Sequence, residues 1–310
     1  MSILFVHNET MLNIESWFIS FDILSILFTL LVVGCSIFYL LIIILNKMWH
    51  SVPMMLITNS CLAHLIFGVD RVWIGGFRLQ NDLRQIQYED NLCIFRIYIA
   101  YVACAILNFS YLLQSIYRYI YVVYPSYLFW QSRQIQFLFI CLTWIFSITY
   151  PFLFIFKREI IYDVHNHVCQ LPFQLSFSLI YMLNCSYIIP VFLIMITYFK
   201  LVLYVHMMSK RVIPVNIYIR AKRQLRMVRN IVILIMILLI TGFPYGVFVV
   251  MSFFKDIPKY HCRFSCVFFD VFSVTVMIAL YQFTDPIKMS VMGKIKQRRK
   301  IMLRKYRLTY

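Results

Sequence analysis

The chain is 310 residues long, 62% hydrophobic and 13% charged, with a mean hydropathy of +0.80. That balance excludes an ordinary water-facing surface, for which about half apolar and a quarter charged residues are usual. A net charge of +17 would suggest a nucleic-acid partner in a soluble protein, but here most of the bases lie on one side of the apolar segments.

A membrane-crossing helix needs roughly 20 mostly apolar residues. Stretches that qualify lie near 22–46, 53–76, 93–124, 134–156, 173–207, 222–254 and 264–288. The gaps leave no room for a separate soluble domain. The expectation is an all-α membrane protein: an extracellular tail over 1–21, a seven-transmembrane-helix bundle over 22–289 and a basic cytoplasmic tail over 290–310. With the N-terminus outside, the inner side holds Lys47, Arg118, Arg133, eight Lys/Arg between 200 and 229 and nine from Lys288 onward. Its one acid is Asp285. The positive-inside rule therefore sets the N-terminus outside and the C-terminus inside, and nucleic-acid binding is rejected. Residues 1–21 carry Glu9 and Glu15 but no Lys or Arg, unlike a cleavable signal peptide. The first span reads as an uncleaved anchor, and Asn8-Glu9-Thr10 is a glycosylation sequon on the outer tail.

In chain order, the first span carries Cys35 and the second Asn59, His64 and, toward its outer end, Arg71. The third opens on Cys93, carries Arg96, Ala100 and Tyr101, and runs out into Tyr117-Arg118-Tyr119-Ile120-Tyr121-Val122-Val123-Tyr124-Pro125. Arginine is costly in a bilayer unless it sits at an interface, faces a cavity or finds a partner. Trp144 lies in the fourth span. The following loop, Glu159 to Cys169, is rich in β-formers around His165-Asn166-His167 and reads as a hairpin lid. Alternation along a strand would place His165, His167 and Cys169 on one face. The fifth span holds Pro190 and Tyr198 and the sixth Pro244 and Tyr245; each proline removes a backbone donor and kinks its helix. Cys262 and Cys266, expected in the third outer loop, either close a small ring or remain two thiols. The seventh span carries Asp270 and ends in Asp285-Pro286-Ile287-Lys288-Met289.

These landmarks resemble, in order, those of the rhodopsin-like G-protein-coupled receptors over roughly residues 22–300. Tyr117-Arg118-Tyr119 is similar to the family's Asp-Arg-Tyr box with its acid replaced. Asn59, Trp144, Pro190, Tyr198, Pro244 and Asp285-Pro286 stand where the family has its helix landmarks. The resemblance implies that a heterotrimeric G protein engages Arg118, and that a disulfide joins Cys93 to Cys169, which sets aside a zinc reading of the loop histidines. Departures are also plain. Gly242 stands where a switch tryptophan is usual, and Met289 where a tyrosine is. His64, Cys35 and Asp285 occupy the family's sodium pocket, so the expectation is a His64–Asp285 pair between the second and seventh helices. Ala100 replaces the aspartate of amine receptors and Ala279 the lysine that carries retinal, which removes both ligand classes.

Arg71, Arg96, Ala100, Tyr101, Tyr245 and Asp270 are the candidate ligand residues. An arginine among them either receives a ligand carboxylate through a two-pronged contact, or pairs with Asp70 or Asp270. The ligand is extracellular, with a peptide as one option. No phosphate-binding glycine loop, metal-ligand spacing or nucleophile elbow marks an enzyme, and no cofactor is expected. The tail mixes Lys294, Lys296, Arg298 and Arg299 with Ile295, Ile301 and Leu303, which suits membrane lipids of acidic headgroup. Two readings compete with a plasma-membrane signalling receptor: a seven-helix channel or transporter, and a receptor-fold protein that binds ligand without signalling.

Overall fold

Apolar segments of this length must close their backbone hydrogen bonds internally when lipid surrounds them, so they form helices. The structure, a computed structural model, describes residues 17–46, 51–84, 90–164, 166–172, 176–209, 246–248, 250–251, 254 and 261–283. Among them are α1 (Trp17–Leu45), α2 (Val52–Arg84), α3 (Cys93–Val123), α4 (Arg133–Thr149) and α5 (Phe152–Phe156). A hairpin follows, β1 (Ile161–Asp163) against β2 (Val168–Gln170), antiparallel with Tyr162 opposite Cys169. Then come α6 (Phe177–Leu183), one π-helical turn (Asn184–Ile188), α7 (Ile189–Ser209) and α8 (His261–Phe283). Six of the described helical segments are long and apolar enough to cross a membrane. Most of the expected sixth span, 222–254, lies outside the described residues, as do the tails.

Three helices run further than hydropathy indicated. α1 starts at Trp17, α2 continues to Arg84, and α8 begins at His261. The last of these bears on the two states left open for Cys262 and Cys266, a small ring or two thiols. Both lie on the opening turns of α8 as thiols, with their sulfurs 4.0 Å apart. Residues four apart on a helix hold their Cβ atoms about 5–6 Å apart, whereas a disulfide wants about 3.5–4.5 Å. The Cys93–Cys169 disulfide, by contrast, is formed.

α3 is the central post, packed against α2, α4 and α7, while α1 packs on α2 and α8. Val32, Ile43, Cys61, Val276 and Met277 fill the seam between α1, α2 and α8. Leu112, Ile194, Tyr198 and Leu201 fill that between α3 and α7. Leu27, Phe137, Phe192 and Phe199 stay more than half exposed on the outward faces, as suits side chains that meet lipid tails. The fifth span is interrupted for a local reason. Pro190 has no N–H for the carbonyl of Ser186, one turn back; that oxygen accepts instead from Asn108 Nδ2 of α3 at 2.8 Å. The π turn thus converts a lost helical bond into an interhelical one.

Where α1 crosses α2, small residues permit the approach. A Cβ at Gly68 would stand 2.8 Å from Val33 Cγ2, whereas one at Gly76 would meet nothing within 4 Å. Gly68→Ala should therefore destabilise the bundle by about 1–3 kcal/mol, the usual range for overpacking. Gly76→Ala should be neutral or slightly stabilising, because alanine favours helix. Thermal unfolding of the two variants in detergent checks the contrast.

Candidate functional site

At the end of the bundle that carries the hairpin, charged side chains from three helices converge. Asp22 of α1 receives Arg78 of α2 at 2.6 Å and Arg263 of α8 at 3.0 Å. Arg263 also grips Asp82 of α2 with both of its terminal nitrogens, one at 2.9 Å. All four are at most 4% exposed. About two turns deeper, Arg71 meets Asp270 through Nε and Nη2, each at 3.2 Å, and Ser25 of α1 donates to the same carboxylate. Buried charges survive in such surroundings when they are paired and hydrogen-bonded. Two ligand candidates, Arg71 and Asp270, are thus committed to each other. The Asp22–Arg78–Arg263–Asp82 cluster was missed by the sequence reading.

The hairpin docks on this cluster. Its turn is shaped by Asp163, whose carboxylate accepts from Asn166 Nδ2 at 2.6 Å and Gln170 Nε2 at 2.7 Å. His167 takes a left-handed φ of 50°, uncommon for a residue with a side chain. That conformation tucks the imidazole inward. Its Nε2 lies 3.3 Å from Asp82 Oδ1, and its Nδ1 3.2 Å from Tyr162 Oη. The disulfide holds the neighbouring strand to α3, and Tyr101 Oη accepts from the Leu171 amide at 3.1 Å. Tyr101, a candidate ligand residue, therefore braces the strand's exit.

Beneath the hairpin a small crevice is lined by Ile74, Phe77, Arg96, Ile97 and His167 beside the disulfide. Arg96 pairs with Asp90 at 3.2 Å and lies 3.8 Å over the Phe77 ring, with Trp73 at 5.5 Å. Asp70 is buried nearby, and neither of its oxygens has a hydrogen-bond partner among the described residues. Ala100 lies on α3, four residues after Arg96, and is half-buried. Tyr245 is outside the described residues.

Mid-bundle contacts unite several landmarks. Trp144 Nε1 donates to Asn59 Oδ1 at 2.8 Å. Ser60 joins Ser110 at 2.8 Å and accepts from Gln114 at 2.6 Å. His64 is fully buried and hydrogen-bonds Tyr111 of α3. Its expected partner Asp285 lies outside the described residues, together with Pro244 and Pro286. At the end opposite the hairpin, Tyr117 is buried with Leu56 and Leu113 and stacks on Tyr121. Arg118 is half-buried beside Tyr198 of α7, and no carboxylate among the described residues pairs with it. Tyr119 turns instead toward Tyr124.

The family model for the 7 transmembrane receptor (rhodopsin family) matches residues 36–287. The chain belongs to the rhodopsin family of seven-transmembrane receptors. Among solved structures it is similar to squid rhodopsin, with a TM-score of 0.75 at 14% identity over 91% of this chain and 86% of that one. Identity this low shows the shared fold. No curated protein sequence matches the chain.

In this rhodopsin-family receptor position 279 of α8 is an alanine, which carries no amine. The hairpin contact, however, is open to a pH test. Burial pulls the His167 imidazole below its ordinary 6.5; Asp82 opposes this, while Arg263 and Arg78 reinforce it. A histidine with a lowered pKa binds fewer protons in the docked state than when released. Docking is thus strongest above about pH 6.5 and weakens as the pH falls through that value. The unfolding midpoint of the wild type should drop between pH 7.5 and 5.5 by more than that of His167→Gln. Equal drops would place the pH sensitivity elsewhere.

Proposed function

We propose that the chain is a plasma-membrane receptor, hairpin end outward, which couples an extracellular ligand to a heterotrimeric G protein through Arg118. The observation that carries this reading is the pair of contrasting ends on one bundle. One end is covered by a disulfide-held hairpin over a crevice. The other presents an arginine with no carboxylate partner among the described residues. An outward hairpin end also agrees with the concentration of bases at the opposite end.

Tyr117, in place of the family's acid, packs against α2 instead of restraining its neighbour. Arg118 is then held by burial and by Tyr198 alone among the described contacts, which leaves its guanidinium available to a partner that offers backbone carbonyls or carboxylates. On the outer side, Arg71 and Asp270 neutralise one another, so neither is a ready counter-ion for a small charged ligand. A peptide is the ligand class we favour. Its support is the two-stranded sheet over the crevice, which offers an extended chain a β-surface to lie against.

Arg118→Ala should lower ligand-independent nucleotide exchange on G proteins by at least about tenfold, a loss of roughly 1.4 kcal/mol or more in coupling. Its surface level should stay near that of the wild type. Exchange measured in membranes from expressing cells decides the matter, and full activity in the variant would contradict the role given to Arg118.

A further inference from the structure

The geometry points to a binding site for one soft monovalent metal ion, Cu(I), between Cys262 and Cys266 on the opening turns of α8. The two sulfurs face each other at 4.0 Å across one helical turn and are partly exposed. Thiolate sulfurs bond a d10 ion such as zinc at roughly 2.3 Å, so one ion in contact with both can span up to about 4.6 Å. A disulfide is out of reach for this helical pair, so the sulfurs remain available as donors.

A second observation concerns charge. Arg71 and Arg78 of α2 lie close enough for their charges to act on the Cys266 sulfur. Two thiolates around a monovalent ion carry one net negative charge. Arg71 and Arg78 stay paired with Asp270 and Asp22, yet both border the sulfurs and so favour this negative charge as outer neighbours of the ligands. Zinc is a poorer match. It wants four ligands, and no group of three or more His, Cys, Asp or Glu side chains among the described residues could hold a metal. Soft sulfur donors in low number select Cu(I). On binding, each thiol gives its proton to solvent and two sulfur–copper bonds form. No electron is transferred. The ion would sit one turn from Asp270, so the Arg71–Asp270 pair would feel its arrival.

The test is anaerobic titration of the purified full-length receptor with Cu(I) held by a chromophoric chelator. The wild type should withdraw about one equivalent more than Cys262→Ser/Cys266→Ser. Cys104→Ser/Cys185→Ser, which alters thiols elsewhere, should bind like the wild type. Cys262→Met keeps a soft sulfur and should retain weakened uptake, whereas Cys262→Ser should lose it. Unfolding midpoints recorded alongside show that each variant is folded. Equal uptake by wild type and double serine variant would overturn the site. So would a folded Cys262→Met that loses uptake as fully as Cys262→Ser. Signalling is not part of the readout, so the outcome is independent of the role given to Arg118.

Discussion

Fully buried charges are tolerated when they are paired and hydrogen-bonded, and the quartet Asp22, Arg78, Arg263 and Asp82 is the constraint on which the hairpin end depends. Each member comes from a helix that must be at the right height and rotation for the others to be satisfied. Such a pairing adds little net stability over well-packed apolar side chains, because desolvation offsets most of the attraction. Its effect is on register. Breaking one partner away leaves a buried charge, at a cost of about 3–5 kcal/mol, so alternative heights of α1, α2 and α8 are disfavoured. The hairpin adds a fifth member through His167, and the disulfide ties that hairpin to α3. Four elements and a loop are thereby fixed by a handful of polar contacts.

The opposite end is built on different physics. Leu56, Leu113, Tyr117 and Tyr121 hold α2, α3 and the neighbouring α4 by apolar and ring contacts, which tolerate sliding better than ion pairs do. Tyr198 packs beside Arg118 with its hydroxyl unpartnered among the described residues. Between the two ends, the π turn before Pro190 replaces a helical bond with one from Asn108. A receptor fixed by ions at one end and by soft packing at the other has its freedom where a partner is proposed to dock. That asymmetry ties the architecture to signalling more closely than any single residue does.

Much of the fold was legible because lipid imposes a simple rule: long apolar runs become helices. The resemblance also implied the Cys93–Cys169 disulfide, which is formed, whereas the hydrogen bond between Asn59 and Trp144 was not foreseen although both were marked as landmarks. The pairing of Arg71 with Asp270 was one of two readings open at that stage. The ionic quartet was not legible, and the reason is instructive. Asp22 marks the expected edge of the first span, Arg78 and Asp82 lie beyond the expected end at 76, and Arg263 precedes the expected start at 264. Each charge was a reason to stop a helix when taken alone. Brought together from positions up to 241 residues apart, they neutralise one another and the helices continue. The same error placed Cys262 and Cys266 in a loop. A span limit drawn from single-residue hydropathy cannot see such cancellation; opposite charges spaced a helical turn beyond each limit were the available hint.

The most direct test of the quartet is a double-mutant cycle on Asp82 and Arg263, read by equilibrium unfolding or thermal shift in detergent. Asp82→Asn and Arg263→Gln should each destabilise the receptor by about 3–5 kcal/mol, the usual cost of orphaning a buried partner. The double variant should be far less unstable than their sum, with a coupling on the order of 2 kcal/mol or more, within the range seen for residues in direct contact. Strictly additive losses would show that the two side chains act separately, and the account of the hairpin end as one ionic clamp would be contradicted.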